Sequence, residues 1–208
     1  MTELAGWVAA LATVGILVVY EMVLLAVQRR DPQRLARSVH AALREDWFVS
    51  VSAQPGSELL AVQTLRNSLM SATMTASTAV LGLMGTATLL APTLGAAGTA
   101  PLTARLALEL VLLTILFASL VCSAMAVRYY NHASFVCSMP VESEARERWS
   151  GAGASYVRRA GILYGMGLRH LLMVAPILAG MAYPLAGPVT ALVVVAALLG
   201  FDRVARAG

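Results

Sequence analysis

Residues Val127 to Phe135 read VRYYNHASF and close one of the most apolar stretches of the chain. At 3.6 residues per turn, positions i, i+3 and i+4 fall within an arc of about 100°, so Arg128, Asn131 and His132 share one side of a helix. The segment VQTLRNSLM repeats that spacing with Gln63, Arg66 and Asn67. Two antiparallel helices would bring these amide and cationic groups to one depth. Glu21, Arg169 with its neighbour His170, and Asp202 belong to three further apolar runs. Ionisable groups are costly in lipid and normally face a bundle interior, where they pair with one another. Glu21, Gln63, Arg66, Asn67, Arg128, Asn131, His132, Arg169 and Asp202 are therefore expected to form an intramembrane polar cluster. Its chemistry would be attraction of a small anion or solute by guanidinium and amide groups, with Glu21 and Asp202 as counter-charges. For Arg66, Arg128 and Asp202 taken singly, reaching out to the membrane interface is the competing explanation.

Catalytic chemistry finds little footing. The chain has no HExxH, GxSxG or CxxC pattern, so neither a zinc hydrolase nor a serine or redox centre is indicated. Its three histidines are scattered, without a carboxylate at ligand spacing. His170 is the one placed like a possible ligand, yet the expectation is no metal, no haem and no other cofactor. Cys122 sits inside an apolar run and Cys137 beyond the polar end of one, so both read as plain buried thiols. Arg105 and Glu109, at i and i+4, read as a local ion pair.

The elements that must hold the polar residues follow from composition. The 208 residues are 59% hydrophobic and 12% charged, with a mean hydropathy of +0.75, far from a soluble domain. The apolar residues fall into separate long runs. This predicts an all-α integral membrane bundle, residues 1–208 forming one domain with spans over 4–28, 64–91, 102–130, 160–183 and 187–203. The first run lacks a basic leader and a small-residue cleavage site and ends in Arg29-Arg30, so it reads as a retained span. Residues 31–49, with Asp-Pro at the start and Leu35, Val39, Ala42 and Leu43 at helical spacing, read as an interfacial helix anchored by Trp47 and Phe48. VESEARERW, after Pro140, reads as a short cytoplasmic helix with a solvated face.

All fifteen basic residues are arginine, and they lie in loops between apolar runs rather than on a soluble basic face. That excludes a nucleic-acid partner and reports topology instead. Five arginines fall in 28–57, five in 128–160 and two in the tail, while the amino end and the turns around Pro92–Pro101 and Pro184–Pro188 have none. The positive-inside rule then puts the amino end outside and the carboxyl end in the cytoplasm, as an odd number of spans requires. Small-xxx-small pairs at Ser71/Thr75, Ala72/Ala76 and Gly161/Gly165 predict close helix approach.

The segments LAVQTLRNSLMSATMTASTA, VRYYNHASF and GMGLRHLLMVAPILAGMAYPLAGP, with the closing FDR, resemble the membrane protein family catalogued as domain of unknown function 599, found in bacteria and plants. The resemblance runs from about Trp47 to Asp202. It is carried by Arg66-Asn67, Arg128-Tyr129-Tyr130 with His132, Gly167-Leu168-Arg169, Gly187-Pro188 and Asp202. Where the family often has Tyr-His, this chain has Tyr20-Glu21, which removes a histidine from the first span. The resemblance implies a multi-span membrane protein and names no reaction. Function is expected to be that of a channel or transporter component for a small anion or solute, in a bacterial inner membrane, working as a homo-oligomer among membrane lipids. The alternative is a non-catalytic scaffold or regulatory subunit, its polar cluster structural and its two cytoplasmic helices the docking surfaces.

Overall fold

The computed structural model describes residues 2–31, 35–95 and 102–202. Through the described residues run seven helices: α1 (Thr2–Arg30), α2 (Ala36–Ser52), α3 (Glu58–Gly95), α4 (Ala104–Ser138), α5 (Glu144–Leu172), α6 (Val174–Ala182) and α7 (Ala186–Asp202).

The long fourth helix is the spine. Its buried residues, Leu108, Leu112, Leu116, Ser119, Ser123, Ala126, Tyr130, Ala133 and Cys137, recur in steps of three and four and so form one continuous stripe. Thr103 starts the helix, its hydroxyl accepting a hydrogen bond from the Leu106 N–H at 3.2 Å. Around this spine α3 and α5 pack on one side, α1 and α6 on the other; α7 sits between α1 and α6, and α2 lies along α5. Two apolar cores result. One, with Leu17, Leu24, Leu112, Leu116, Ile177 and Leu198, holds together the α1, α4, α6 and α7 end. The other, with Phe48, Leu65, Tyr130, Val136 and Val157, joins α2, α3, α4 and α5 into a head.

The outward faces are apolar as well. α1 buries Leu17, Tyr20 and Leu24 yet exposes Leu4, Val8, Leu11, Val19 and Met22, and α3 exposes Met74, Leu81, Met84 and Leu89. A helix that is hydrophobic all round needs an apolar medium outside. Four stretches, Glu3–Arg30, Glu58–Pro92, Ala104–Ser138 and Glu144–Ala182, are long and apolar enough to cross a membrane. α7 has 17 residues, about 26 Å, somewhat less than the ~30 Å of a hydrocarbon core.

Three helices outrun their expected spans. α3 starts at Glu58 rather than 64, α4 continues to Ser138 rather than 130, and α5 starts at Glu144, well before 160. At 38 residues α3 is about 57 Å long, nearly twice a hydrocarbon core. The segment VESEARERW is not a separate helix: Ser143 caps it by accepting the Arg146 N–H at 3.2 Å, and it runs on unbroken as the start of α5. The break comes only at Met173. Pro176 lacks an N–H and its ring crowds the carbonyl four residues back, at Leu172, which ends α5 there.

α2 is also held by the helix bundle through Phe48 and Arg44. Phe48 is 1% exposed and lies where a Cβ on Gly153 would stand, and Arg44 lies against Gly161 in the same way. α2 therefore runs alongside α5, and Phe48 and Trp47 pack into the head core. The contact is made by Ala36, Ala41 and Phe48, whereas of the spaced apolar residues Leu35 is buried and Val39, Ala42 and Leu43 stay exposed. Gly161, read as a seat for a neighbouring backbone, is the seat of a guanidinium.

Glycine permits the tightest crossing at the other end. A Cβ on Gly187 would stand 3.0 Å from the Gly180 Cα and would run into Thr13 Oγ1, so α6 and α7 meet backbone to backbone and the Thr13 hydroxyl of α1 packs onto the same point. Gly187→Ala is expected to lower stability by about 1–3 kcal/mol through overpacking, whereas Gly151→Ala, which enters open space, is neutral or gains up to about 1 kcal/mol of helix propensity. Thermal unfolding of the two variants in one detergent checks the contrast.

Candidate functional site

Asp202, the last residue of α7, is buried, and both of its carboxylate oxygens are engaged. Arg169, in the last turn of α5, forms an ion pair with Oδ1, and the Tyr20 hydroxyl of α1 donates to Oδ2 at 2.8 Å. The Arg169 and Asp202 side chains are 14% and 7% exposed. Three helix segments far apart in sequence thus meet on one carboxylate.

A second layer surrounds the pair. Arg37, at the start of α2, donates to the Gln28 side-chain carbonyl of α1. Burial pulls the Arg37 pKa below its ordinary value, the like charge of Arg169 adds to that, and Glu21, Asp202 and Tyr20 act in the opposite sense. Glu21 is half-buried and within electrostatic reach of Arg37 and of His170. The cluster therefore contains two carboxylates, Glu21 and Asp202, and two guanidiniums, Arg37 and Arg169. Among the described residues, Arg37 Nε, Arg169 Nη1 and His170 Nδ1 are buried without a hydrogen-bond partner, and no group of three or more His, Cys, Asp or Glu is arranged to hold a metal ion.

Of the expected cluster, the structure gathers Glu21, Arg169 and Asp202 and leaves the other six apart. Gln63, Arg66, Asn67, Arg128 and Asn131 are exposed on α3 and α4, and His132 is half-buried against Tyr156, ring centroids 5.5 Å apart. Helix register is the reason. The residues of α4 level with Gly167 are Ser119, whose hydroxyl donates to the Gly167 carbonyl at 2.7 Å, and Ser123, which occupies the space of a Gly167 side chain. Arg128 lies beyond Ser123 toward the head, by about 8 Å. His132 faces Tyr156, which precedes Arg169 on α5 by about 20 Å of helix. The shared faces of Arg128, Asn131 and His132 and of Gln63, Arg66 and Asn67 exist, but they belong to helix ends that reach past the level of Asp202.

The structure also brings in residues that sequence reasoning passed over. Tyr20, Gln28 and Arg37 have no place in the cluster expected from sequence, because a lone hydroxyl, amide or guanidinium carries no motif. Arg146 is the larger omission. It is 2% exposed, with Nη1 donating to the carbonyls of Cys137 and Met139, each at 2.6 Å, and Nη2 to that of Ser52 at 3.4 Å. Those carbonyls close the ends of α4 and α2, where backbone acceptors lack helical partners and the helix dipole is negative. A signal was available: Arg146, Gly153, Val157 and Ala160 follow helical spacing, which puts Arg146 on the buried stripe of α5.

Beside Arg146 opens a cleft of about 410 Å³ between α2 and α5. Phe48, Val49 and Val141 make it apolar, and Glu142 and Glu147 stand on it as exposed carboxylates. On the outer faces, Arg105 and Glu109 form the local ion pair read from their spacing, at 3.2 Å.

The described residues thus form an all-helical fold with four helices long and apolar enough to cross a membrane, and a buried ionic cluster where α1, α5 and α7 meet. A family model described as "Protein of unknown function, DUF599" matches residues 8–207. The chain belongs to that family. No curated protein and no solved structure matches it.

Removing one partner of a buried pair strands the other charge and typically costs about 3–5 kcal/mol, whereas removing both costs less. Asp202→Asn and Arg169→Met are each expected to destabilise strongly, the double variant by clearly less than the sum, and Tyr20→Phe by about 1 kcal/mol. Denaturation of the four variants in detergent, read as a double-mutant cycle, checks this; additive losses would mean that Arg169 and Asp202 do not act as a pair.

Proposed function

We propose that the chain is a five-span protein of a bacterial inner membrane, amino end outside and carboxyl end in the cytoplasm, whose head docks a basic amphipathic segment of a partner protein. The distribution of arginine supports the orientation. Five lie in 28–57 and five in 128–160, the stretches that belong to the head and to the loops beside it, whereas the turns at the opposite end carry none. In that frame α7 is the short fifth span, and Asp202 and Arg169 lie at the inner interface, where a buried ion pair costs less than at mid-bilayer.

The docking reading is carried by one observation, the cleft where α2 meets the start of α5. Phe48, Val49, Ala53 and Val141 give its lining an apolar share, and its carboxylates are Glu142 and Glu147. Helix-in-groove recognition uses such a combination, apolar anchors for affinity and complementary charge for orientation. Arg146 adds no free positive charge, since its guanidinium is buried against three backbone carbonyls. An anion path draws less support: Arg66 and Arg128 lie on the outer surface of α3 and α4, and Asp202 already neutralises Arg169.

In a background with Cys122 and Cys137 replaced by Ala, Gly208→Cys is expected to resist a membrane-impermeant maleimide in intact cells and Leu185→Cys to react. The reverse pattern would invert the topology. A photo-crosslinking residue at Val49 is expected to trap a cytoplasmic protein through a segment rich in Arg or Lys, and Glu142→Lys with Glu147→Lys to cut that yield by about tenfold, the equivalent of about 1.4 kcal/mol. Trapping that is indifferent to charge reversal, or that occurs equally from Arg128, would remove the docking role.

A further inference from the structure

α3 carries the same seven-residue rhythm on two opposite sides. Leu65, Ala72, Ala79 and Thr86 recur every seventh residue and are buried, on the side where α3 packs along α4. A step of seven residues falls short of two full turns by about 20°, so a contact that keeps this step over several repeats winds α3 around its neighbour. At about 100° per residue the far side of the helix keeps the rhythm too. There Leu60, Asn67, Met74 and Leu81 stand seven residues apart, and Gln63, Met70, Ser77 and Met84 follow each of them by three. These are the a and d positions of a heptad repeat. All eight are exposed, Met74 and Leu81 by 69% and 70%.

Three features of this seam find no use inside the chain. Gly85 flanks it at an e position, where glycine weakens a helix relative to alanine, yet nothing lies within 4 Å of where its side chain would begin. Thr64, Ser71 and Thr78 hold the same position in the preceding heptads, and small residues of this kind let helices in a membrane approach closely. The side-chain amides of Gln63 and Asn67 are exposed and make no hydrogen bond among the described residues. Beside the seam runs a groove of about 490 Å³, with Ser77 and Leu81 on its α3 wall and Ala124 and Val127 on its α4 wall.

We propose that the outward face of α3 is the interface of a parallel homodimer, in which Leu60, Met74 and Leu81 of one copy pack against their counterparts in the second. Copies inserted in one membrane lie the same way up, so α3 meets α3 in parallel and each seam residue meets itself across a two-fold axis. That symmetry selects the occupant. An amide carries donor and acceptor alike, so Asn67 pairs with Asn67, as a polar residue at an a position does when it fixes register and oligomeric state. Arg66 falls on the g flank, opposite the small Ser71 of the second copy, which keeps the two guanidiniums apart. From Leu60 to Met84 the seam is about 36 Å long, more than the ~30 Å of a hydrocarbon core. Lipid tails do not cover it from end to end, whereas a second α3 has the matching length. The inference rests on the membrane reading above but neither on its orientation nor on the docking cleft.

Cysteine cross-linking in native membranes tests the interface, in a background with Cys122 and Cys137 replaced by Ala. Oxidation of Met74→Cys and of Leu81→Cys is expected to give a disulfide-linked dimer in several times the yield of Val80→Cys, on the flank, or of Val193→Cys, on the exposed side of α7. Gly85→Phe is expected to cut the Leu81→Cys yield tenfold or more, with unchanged helical circular dichroism and unchanged recovery from the membrane fraction. Equal yields at all four cysteine positions, a product of any mass other than twice that of the chain, or a dimer indifferent to Gly85→Phe would each overturn the proposal. Membrane-inserted protein that cross-links nowhere would leave the seam to lipid and overturn it as well. Recovery from the soluble fraction would remove the membrane reading itself, and the dimer with it.

Discussion

The carboxylate of Asp202 is the constraint around which one end of this molecule is organised. It accepts from Arg169 on one oxygen and from Tyr20 on the other, tying the last residue of α7 to the last turn of α5 and to α1. A carboxylate at 7% side-chain exposure would be expensive if any of these partners were missing, because a buried charge without its counter-charge bears the full cost of lost solvation. A 17-residue helix with almost no polar side chains has its register set by this ionic contact at one end and by the fit of Gly187 against Thr13 and Gly180 at the other.

Close packing on the far side of the same helices complements this ionic tie. Gly180 and Gly187 let α6 and α7 approach backbone to backbone, and Gly167 admits the hydroxyls of Ser119 and Ser123. In the membrane setting proposed above, helices have no hydrophobic driving force comparable to that in water, and van der Waals contact and interhelical hydrogen bonds carry the association. In the head the balance differs. There Phe48, Leu65, Tyr130 and Val157 form an ordinary apolar core, and exposed arginines on its surface require no special explanation.

Much of the architecture was legible in the sequence because hydropathy is a coarse signal summed over many residues. The apolar runs mark α1, α3, α4, α5 with α6, and α7, and the segment from Pro184 marks the turn between α6 and α7, whereas Pro92, expected to open a turn, lies inside α3, and residues 96–101 of that expected turn lie outside the described residues. Helix ends were less legible, since polar residues such as Gln63 or Arg128 end an apolar run without ending a helix. That single difference explains the dispersal of the expected ring: Gln63, Arg66, Asn67, Arg128, Asn131 and His132 were assigned to the depth of Asp202 by their distance from the apolar runs, whereas helix register carries them past it. Glu21, Arg169 and Asp202 lie within or at the edge of apolar runs, and these three do converge. Tyr20, Gln28 and Arg37 depend on a tertiary contact between α1, α2 and α7 that has no local pattern. Arg146 did have one, in its place on the stripe with Gly153 and Val157, but its neighbours Glu144, Glu147 and Arg148 made the segment read as solvent-facing.

Arg146 and Arg37 hold opposite ends of one short rod. α2 is gripped at Ser52 by the first and reaches the ionic centre through the second, with about 23 Å of helix between the two grips. Strapped at both extremities and laid against α5, it has little freedom to slide or pivot by itself. A force applied at the tip of the head would be transmitted along this strut to Gln28 and its surroundings rather than being absorbed by a hinge. Because every acceptor of Arg146 is a main-chain carbonyl, that mechanical link is indifferent to the side chains at positions 52, 137 and 139 and depends on the backbone path alone.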